Sequence, residues 1–336
     1  MTETVVLRIA EIERLAATAL ERAGASATAA ASLAAAIAAA ERDGIASHGL
    51  AYLATYCDHL KCGKVLPGAV PKLERTAPGV VVVDAASGFA HPAIDLGFSE
   101  LVPLATEQGI AALAVRNSYN CGVLGYHTER LAAAGLVTIG FTNAPASIAP
   151  SGGKAPVLGT NPWSLAVPDG KGGARLVIDQ SASVVAKSEV MKRMRRGESV
   201  PEGWVLGPDG NPTTDPAIGL KGTMVPAGGY KGVSSAILVE VMAACLAGAT
   251  LGIDASPFSG TAGGPPKTGQ FFIAIWPSAP SGGAFSQRIE ALAAALGREP
   301  GAHVPGSGRQ KARARATAEG VAVDKALVET ARKLAA

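Results

Sequence analysis

Pro78-Gly79-Val80-Val81-Val82-Val83-Asp84 is the stretch that decides how this chain folds. Four β-branched residues follow a Pro-Gly turn and stop before Ser87-Gly88, the signature of a short strand. Two runs of the same kind come next, Ala111 to Val115 and Val137 to Thr142. Helical spacing fills the intervals, over 92–108 and 124–134. This β-α-β-α-β alternation predicts an α/β core, with strand order and handedness left open.

The N-terminal side reads as helical. Residues 8–23 and 26–42 space alanine and leucine as on amphipathic helices, with Ser26 or Thr28 to cap the second. A third helix is expected over 50–60, stopped by Cys62-Gly63, and a unit boundary near 75. On the other side, 143–232 is rich in Gly, Pro, Ser and Asn, with strand candidates at 164–167 and 175–178 and a helix near 183–196. Ser234 to Ala249 reads as a long buried helix, Phe271 to Trp276 as a strand, and 284–296 and 322–335 as terminal helices. The expected units are a helical segment 1–76 joined by 300–336, an α/β unit of 77–116 with 233–299, and a glycine-rich unit 117–232.

Composition narrows the function classes. A chain of 336 residues can bury more than one core. Its four cysteines form no C-x-x-C pair, and Met1-Thr2-Glu3-Thr4 lacks a signal-peptide layout, so a reduced, cytoplasmic protein is expected. The net charge of +3 gives no ground for a nucleic-acid partner, and no uninterrupted apolar run suits a membrane. The basic run from Arg309 to Arg315 is either a solvated helix start or a phosphate contact behind Pro305-Gly306-Ser307-Gly308.

Candidate chemistry lies in turns. Ser47-His48-Gly49 puts an imidazole after an Ala-rich helix, as a surface residue or as a site group. In Gly228-Gly229-Tyr230-Lys231-Gly232, two glycines and a lysine before the 234–249 helix make either a phosphate site or a tight turn. Asp179 follows a strand and reads as the N-cap of the 183–196 helix or as a ligand-binding carboxylate. No G-x-G-x-x-G fingerprint, P-loop, H-E-x-x-H or G-x-S-x-G elbow is present. The five histidines, at 48, 59, 91, 127 and 303, have no metal-ligand spacing, so no metal is expected.

Taken in order, Ser47-His48-Gly49, Asn117-Ser118 with Gly122, Ser151-Gly152-Gly153, Gly159-Thr160-Asn161-Pro162, Asp179, Pro201-Glu202-Gly203-Trp204, Pro212 to Pro216 and Gly228 to Gly232 resemble the malate/L-lactate/sulfolactate dehydrogenase family. The resemblance covers about residues 10 to 310. It implies a non-Rossmann α/β fold whose cofactor domain has a mixed, largely antiparallel sheet. It also implies a homodimer with sites between domains, and NAD(P)-dependent hydride transfer at C2 of a small anionic 2-oxo, 2-hydroxy or 2-imino acid. By position, Ser151, Gly152, Gly159, Thr160, Asn161, Asp179, Gln180, Ser181, Lys231 and Gly306 correspond to cofactor contacts, with NADP expected and NAD the alternative. Ser47, His48, Tyr52, Tyr119, Asn120 and Thr160 correspond to the substrate side.

Two departures change the chemistry. The family usually continues Ser-His-Gly-x-x-Arg, and Tyr52 stands where the carboxylate-clamping arginine would be. It usually reads Asn-Ser-x-His-x-Gly, and Asn120 stands where the proton-accepting histidine would be. Asparagine cannot carry that proton, so His48, held by Asp179 or a backbone carbonyl, becomes the first choice for proton transfer. His91, which otherwise reads as a surface residue at a helix start, is a second candidate, followed by Lys187, Tyr52 and Tyr119. Lys154, Arg116, Lys187 or backbone N–H groups would serve the substrate's anionic groups. The altered pair, Cys121 and Phe89 to Asp95 look most like the (2R)-3-sulfolactate dehydrogenase branch. The alternatives are a reductase of cyclic ketimines such as Δ1-piperideine-2-carboxylate, or a non-catalytic NAD(P)-binding protein.

Overall fold

A computed structural model describes residues 3–336; Met1 and Thr2, which begin the stretch read for a targeting segment, lie outside the described residues. The chain opens with β1 (Thr4–Leu7), α1 (Ile9–Arg22), α2 (Ala27–Arg42) and α3 (Leu50–Lys61). Ser26 is the cap of α2, accepting the Ala29 N–H at 3.3 Å. Alanines 16, 19, 30, 34 and 38 are buried and let these helices approach closely, with Ile12, Leu20, Leu33, Ile37 and Leu53 filling the space between them. Full burial of each large aliphatic side chain contributes about 1.5–3 kcal/mol.

Next come β2 (Lys72–Ala77), β3 (Val80–Asp84), α4 (Ala90–Gln108), β4 (Ile110–Ser118), α5 (Leu124–Ala133), β5 (Val137–Thr142), β6 (Trp163–Pro168) and β7 (Ala174–Gln180). The glycine-rich region adds α6 (Lys187–Arg195), β8 (Val205–Leu206), β9 (Pro212–Thr213), α7 (Pro216–Gly219), β10 (Thr223–Met224) and α8 (Tyr230–Glu240). The chain ends with β11 (Thr268–Ile275), α9 (Ser278–Ser281), α10 (Phe285–Leu296), α11 (Ser307–Glu319), β12 (Val321–Asp324) and α12 (Lys325–Ala335).

The main sheet has seven strands in the order β2-β3-β4-β11-β5-β6-β7. Only β3 and β4 run parallel; the other neighbours are antiparallel. The α/β reading and the mixed, largely antiparallel sheet are therefore correct. The expected cuts at 76/77 and 116/117 fall inside β2 and β4, so strands on both sides of each cut share this sheet.

Four details depart from the sequence reading. β2 was not expected, because Lys-Leu-Glu-Arg-Thr-Ala has no apolar run; it is an exposed edge strand whose charged side chains face solvent. α6 starts at Lys187, four residues later than expected, with Ala186 rather than Asp179 at its cap. The helix expected over 234–249 begins earlier, at Tyr230, passes into a π-helical stretch at Val241–Leu246, and is not fully buried: Ile237, Leu238, Val241 and Leu246 are exposed. The last helix starts at Lys325, because Val321–Asp324 instead pairs antiparallel with β1.

Candidate active site

His48 ends a single 3₁₀ turn, Ala46–His48, between α2 and α3. Both flanks of this turn are fixed by carboxylates from the end of α2. Glu41 is buried and accepts the Leu50 N–H at 2.8 Å, and burial pushes its carboxyl up. Asp43 is buried too, yet Arg313 and Arg42 hold its carboxyl below the usual range. Arg313 also pairs with Glu129 of α5. His48 Nδ1 lies 3.0 Å from Ser47 Oγ. Burial lowers the proton affinity of His48 below its ordinary value, and the negative charge of Asp179 partly opposes this.

Asp179 stands in β7 opposite Ser164, so the N-cap reading is corrected: its carboxylate serves a different helix. Oδ2 accepts the Gly125 N–H at 3.0 Å, in the first turn of α5, and pairs with Arg309 Nη2 at 2.6 Å. Local spacing suggested α6 because it follows in the chain; the sheet instead carries Asp179 to the start of α5, whose dipole also favours an anion. The solvated reading of the basic run fails for Arg309 and Arg313, both of which are paired inside the protein. Sequence reasoning missed Arg309 as a site neighbour because its partner is 130 positions away.

The loop after β4 supplies Tyr119 and Asn120. Tyr119 is buried, with its hydroxyl on His59 Nδ1, and burial raises its phenol. Asn120 Oδ1 accepts the Gly122 N–H at 2.6 Å. Tyr52 lies beside both, and its hydroxyl donates to the Phe258 carbonyl at 2.9 Å. Lys64 donates to Pro257 and Ser259, and His59 Nε2 donates to Gly260 at 2.8 Å. Four successive carbonyls, 257 to 260, are thus tied to α3 and the loop behind it. Tyr52 anchors this strap, and that hydroxyl cannot replace the guanidinium it displaces.

His91 is not a surface residue: it is 1% exposed, with neither ring nitrogen partnered, and burial drives it to about 4. The ring packs 5.3 Å from His127. A neutral imidazole sealed in this way cannot supply a proton near pH 7. Lys187 opens α6, and burial pushes its ammonium down.

Two of the expected cofactor loops, 159–162 and 228–232, meet at α8. Asn161 is fully buried with φ 39°; its Nδ2 donates to Ala236 O at 2.9 Å and to Glu240 Oε2 at 2.7 Å, while its Oδ1 accepts the Ala144 N–H at 3.1 Å. Its side chain therefore locks the loop against α8; Gly159 is buried, where a Cβ would stand 2.2 Å from Ala144 O, and Thr160 is half-buried. Gln180 is exposed, and Ser181 bonds Ser183. Lys231 is exposed within the first turn of α8, not ahead of the helix as expected. Gly228 and Gly229 have φ of 66° and 64°, and nothing lies within 4 Å of a Cβ placed on Gly229. An exposed lysine at the N-terminus of a helix fits a dinucleotide phosphate. Ser151 and Gly152 form an exposed turn beyond the Ile148–Leu158 bridge, and Gly306 caps α11. Among the described residues, no three His, Cys, Asp or Glu side chains group as metal ligands.

The family profile described as malate/L-lactate dehydrogenase matches residues 7–331. A (2R)-3-sulfolactate dehydrogenase (NADP(+)) of Chromohalobacter salexigens is 42% identical over 330 residues, covering 98% of either chain. A Δ1-pyrroline-2-carboxylate reductase of Ancylobacter novellus is 38% identical, covering 97% of this chain and 96% of its own. The crystal structure of Δ1-piperideine-2-carboxylate reductase from Pseudomonas syringae superposes with a TM-score of 0.92 at 33% identity, covering 98% of this chain and 100% of that one. The chain belongs to the malate/L-lactate dehydrogenase family. It is an NAD(P)-dependent oxidoreductase.

Proposed function

We propose that the protein interconverts a small 2-hydroxy acid and its 2-oxo acid with NADP(H), with (2R)-3-sulfolactate and sulfopyruvate as the substrate pair. The observation that carries this reading is His48 on its clamped turn, with Ser47 on one ring nitrogen and the charge of Asp179 acting on the ring. The 42% relative supports the substrate and the cofactor. Gly159, Thr160, Gln180, Ser181, Lys231 and Gly306 would hold the dinucleotide, with Ser151 and Gly152 at the rim. When bound, the nicotinamide supplies or accepts the hydride.

The proton falls to the protein. With Ser47 Oγ accepting from Nδ1, Nε2 of His48 is left to take the hydroxyl proton during oxidation and to return it to the carbonyl oxygen during reduction. The Asn120 amide donates to the same oxygen. Thr160 and Tyr119 shape the pocket, and Tyr52 holds its wall through the strap.

A second reading, reduction of a cyclic ketimine, has its own support. Tyr52 and Asn120 together remove a fixed cation and a titrating group, and a protonated imine demands less of both. Following nicotinamide absorbance with sulfopyruvate, pyruvate, oxaloacetate and Δ1-piperideine-2-carboxylate separates the readings: turnover of the imine alone replaces the first with the second. Failure of either dinucleotide to raise thermal stability would refute both.

We also infer that the protein is cytoplasmic and a homodimer; the exposed apolar side chains of Ile237, Leu238, Val241 and Leu246 support the pairing. A solution mass of one chain would overturn the pairing.

A further inference from the structure

The carboxylate whose charge acts on His48 is itself unevenly bonded. Oδ2 of Asp179 takes both the Gly125 N–H and Arg309 Nη2, whereas Oδ1 has no protein hydrogen bond among the described residues. The ion pair is well shielded, with the Arg309 side chain 16% and the Asp179 side chain 13% exposed. It is also given room by the sequence. A Cβ at Gly125 would stand 2.4 Å from Arg309 Nη1 and 2.6 Å from Asp179 Oδ2, so any larger residue there would push the pair apart. Arg309 Nη1 is buried without a hydrogen-bond partner among the described residues, which carries a desolvation cost.

The other charges around the turn are already balanced. Asp43 is matched by Arg42 and Arg313, Glu41 is engaged by the Leu50 amide, and Tyr52 of α3 is tied to Phe258. Among the described residues Asp179, although paired with Arg309, is the anion whose charge acts on the imidazole. We propose that Arg309 is a positioning residue for proton transfer: it grips Asp179 by one oxygen, takes up part of its charge, and so limits how strongly that carboxylate holds a proton on His48. Removing the guanidinium strengthens the pull of Asp179, which favours the protonated ring.

This rests on His48 as the proton-transfer group, and the test separates the two ideas. The ring proton of His48 is titrated by NMR in the ligand-free protein, assigned by comparison with His48→Gln, for the parent, Arg309→Gln and Arg309→Lys. Arg309→Gln moves the His48 titration up by about one pH unit, Arg309→Lys brings it back toward the parent, and the pH–rate limb moves in step. An unchanged His48 titration in Arg309→Gln overturns the proposal. A moved titration with an unmoved pH–rate limb upholds the coupling and removes His48 from the reaction. In an Asp179→Asn background the Arg309→Gln shift largely disappears; if it persists, the route through Asp179 is wrong. Should Arg309→Gln fail to fold, Gly125→Ala disturbs the same pair from the opposite side and moves the titration upward as well; no movement there overturns the proposal.

Discussion

His48→Gln keeps the size of the side chain and removes its titration, so turnover falls about 100-fold or more if the ring carries the proton. Steady-state kcat at saturating substrate is the measurement. Because burial sets the proton affinity of His48 below its ordinary value, the two directions have opposite pH dependence. Oxidation needs the neutral ring and weakens as pH falls through that point, while reduction needs the charged ring and weakens as pH rises through it. The Ser47-His48-Gly49 turn was legible because its residues are contiguous. Asp179 was legible as a residue but not in its role, since the sheet and not the chain brings it to Gly125 and Arg309. His91 was misread because a position next to Pro92 at a helix start does not reveal that α4 packs inward there.

At the scale of an element, α3 does more than bury apolar surface. Tyr52, His59 and, just beyond its end, Lys64 hold the carbonyls of 257 to 260, placing Phe258 5.4 Å from the Tyr119 ring. His59→Leu leaves the Tyr119 hydroxyl and the Gly260 carbonyl unpaired, at a cost of about 1–3 kcal/mol for each buried group. His59→Gln can accept from one and donate to the other. The expected result is a raised KM and faster proteolysis within 253–267 for His59→Leu, with both restored in His59→Gln; equal behaviour of the two variants would count against the strap. Nothing in the spacing of 50–60 announces this, because the helix period shows which face is apolar and not which carbonyls its polar residues reach. α8 teaches the reverse lesson: its nearly uncharged sequence suggested burial, yet Ile237 and Leu238 are exposed.

For the whole molecule, acid sensitivity follows from histidines kept neutral in the core. His91 titrates at about 4 in the folded state against an ordinary value near 6.5. Protons therefore bind the unfolded chain first, and stability present above pH 6.5 is lost as pH falls toward 4, by on the order of 3 kcal/mol from this residue. His127 and His59 are lowered as well and act in the same direction. His91→Phe flattens part of the decline of Tm between those limits, and an unchanged slope would exclude His91 as a source. Three strands of the main sheet were visible in the sequence as Val80–Asp84, Ala111–Val115 and Val137–Thr142. Their order was not, since β11 crosses from the far end of the chain to lie between β4 and β5. Such pairing closes very long loops before it gains any contact, and slow folding is the consequence.

β12 pairs with β1, and Val323, Val328 and Ala331 complete the packing around Ile12, Leu20 and Leu53. During synthesis α1 and α3 emerge with these apolar faces uncovered until residues 321–335 have been made. The turn bearing His48 is built on those helices. A chain that stops short of 321–335 thus leaves the helices carrying the His48 turn without part of their core, so the support of the turn depends on residues far from it in sequence.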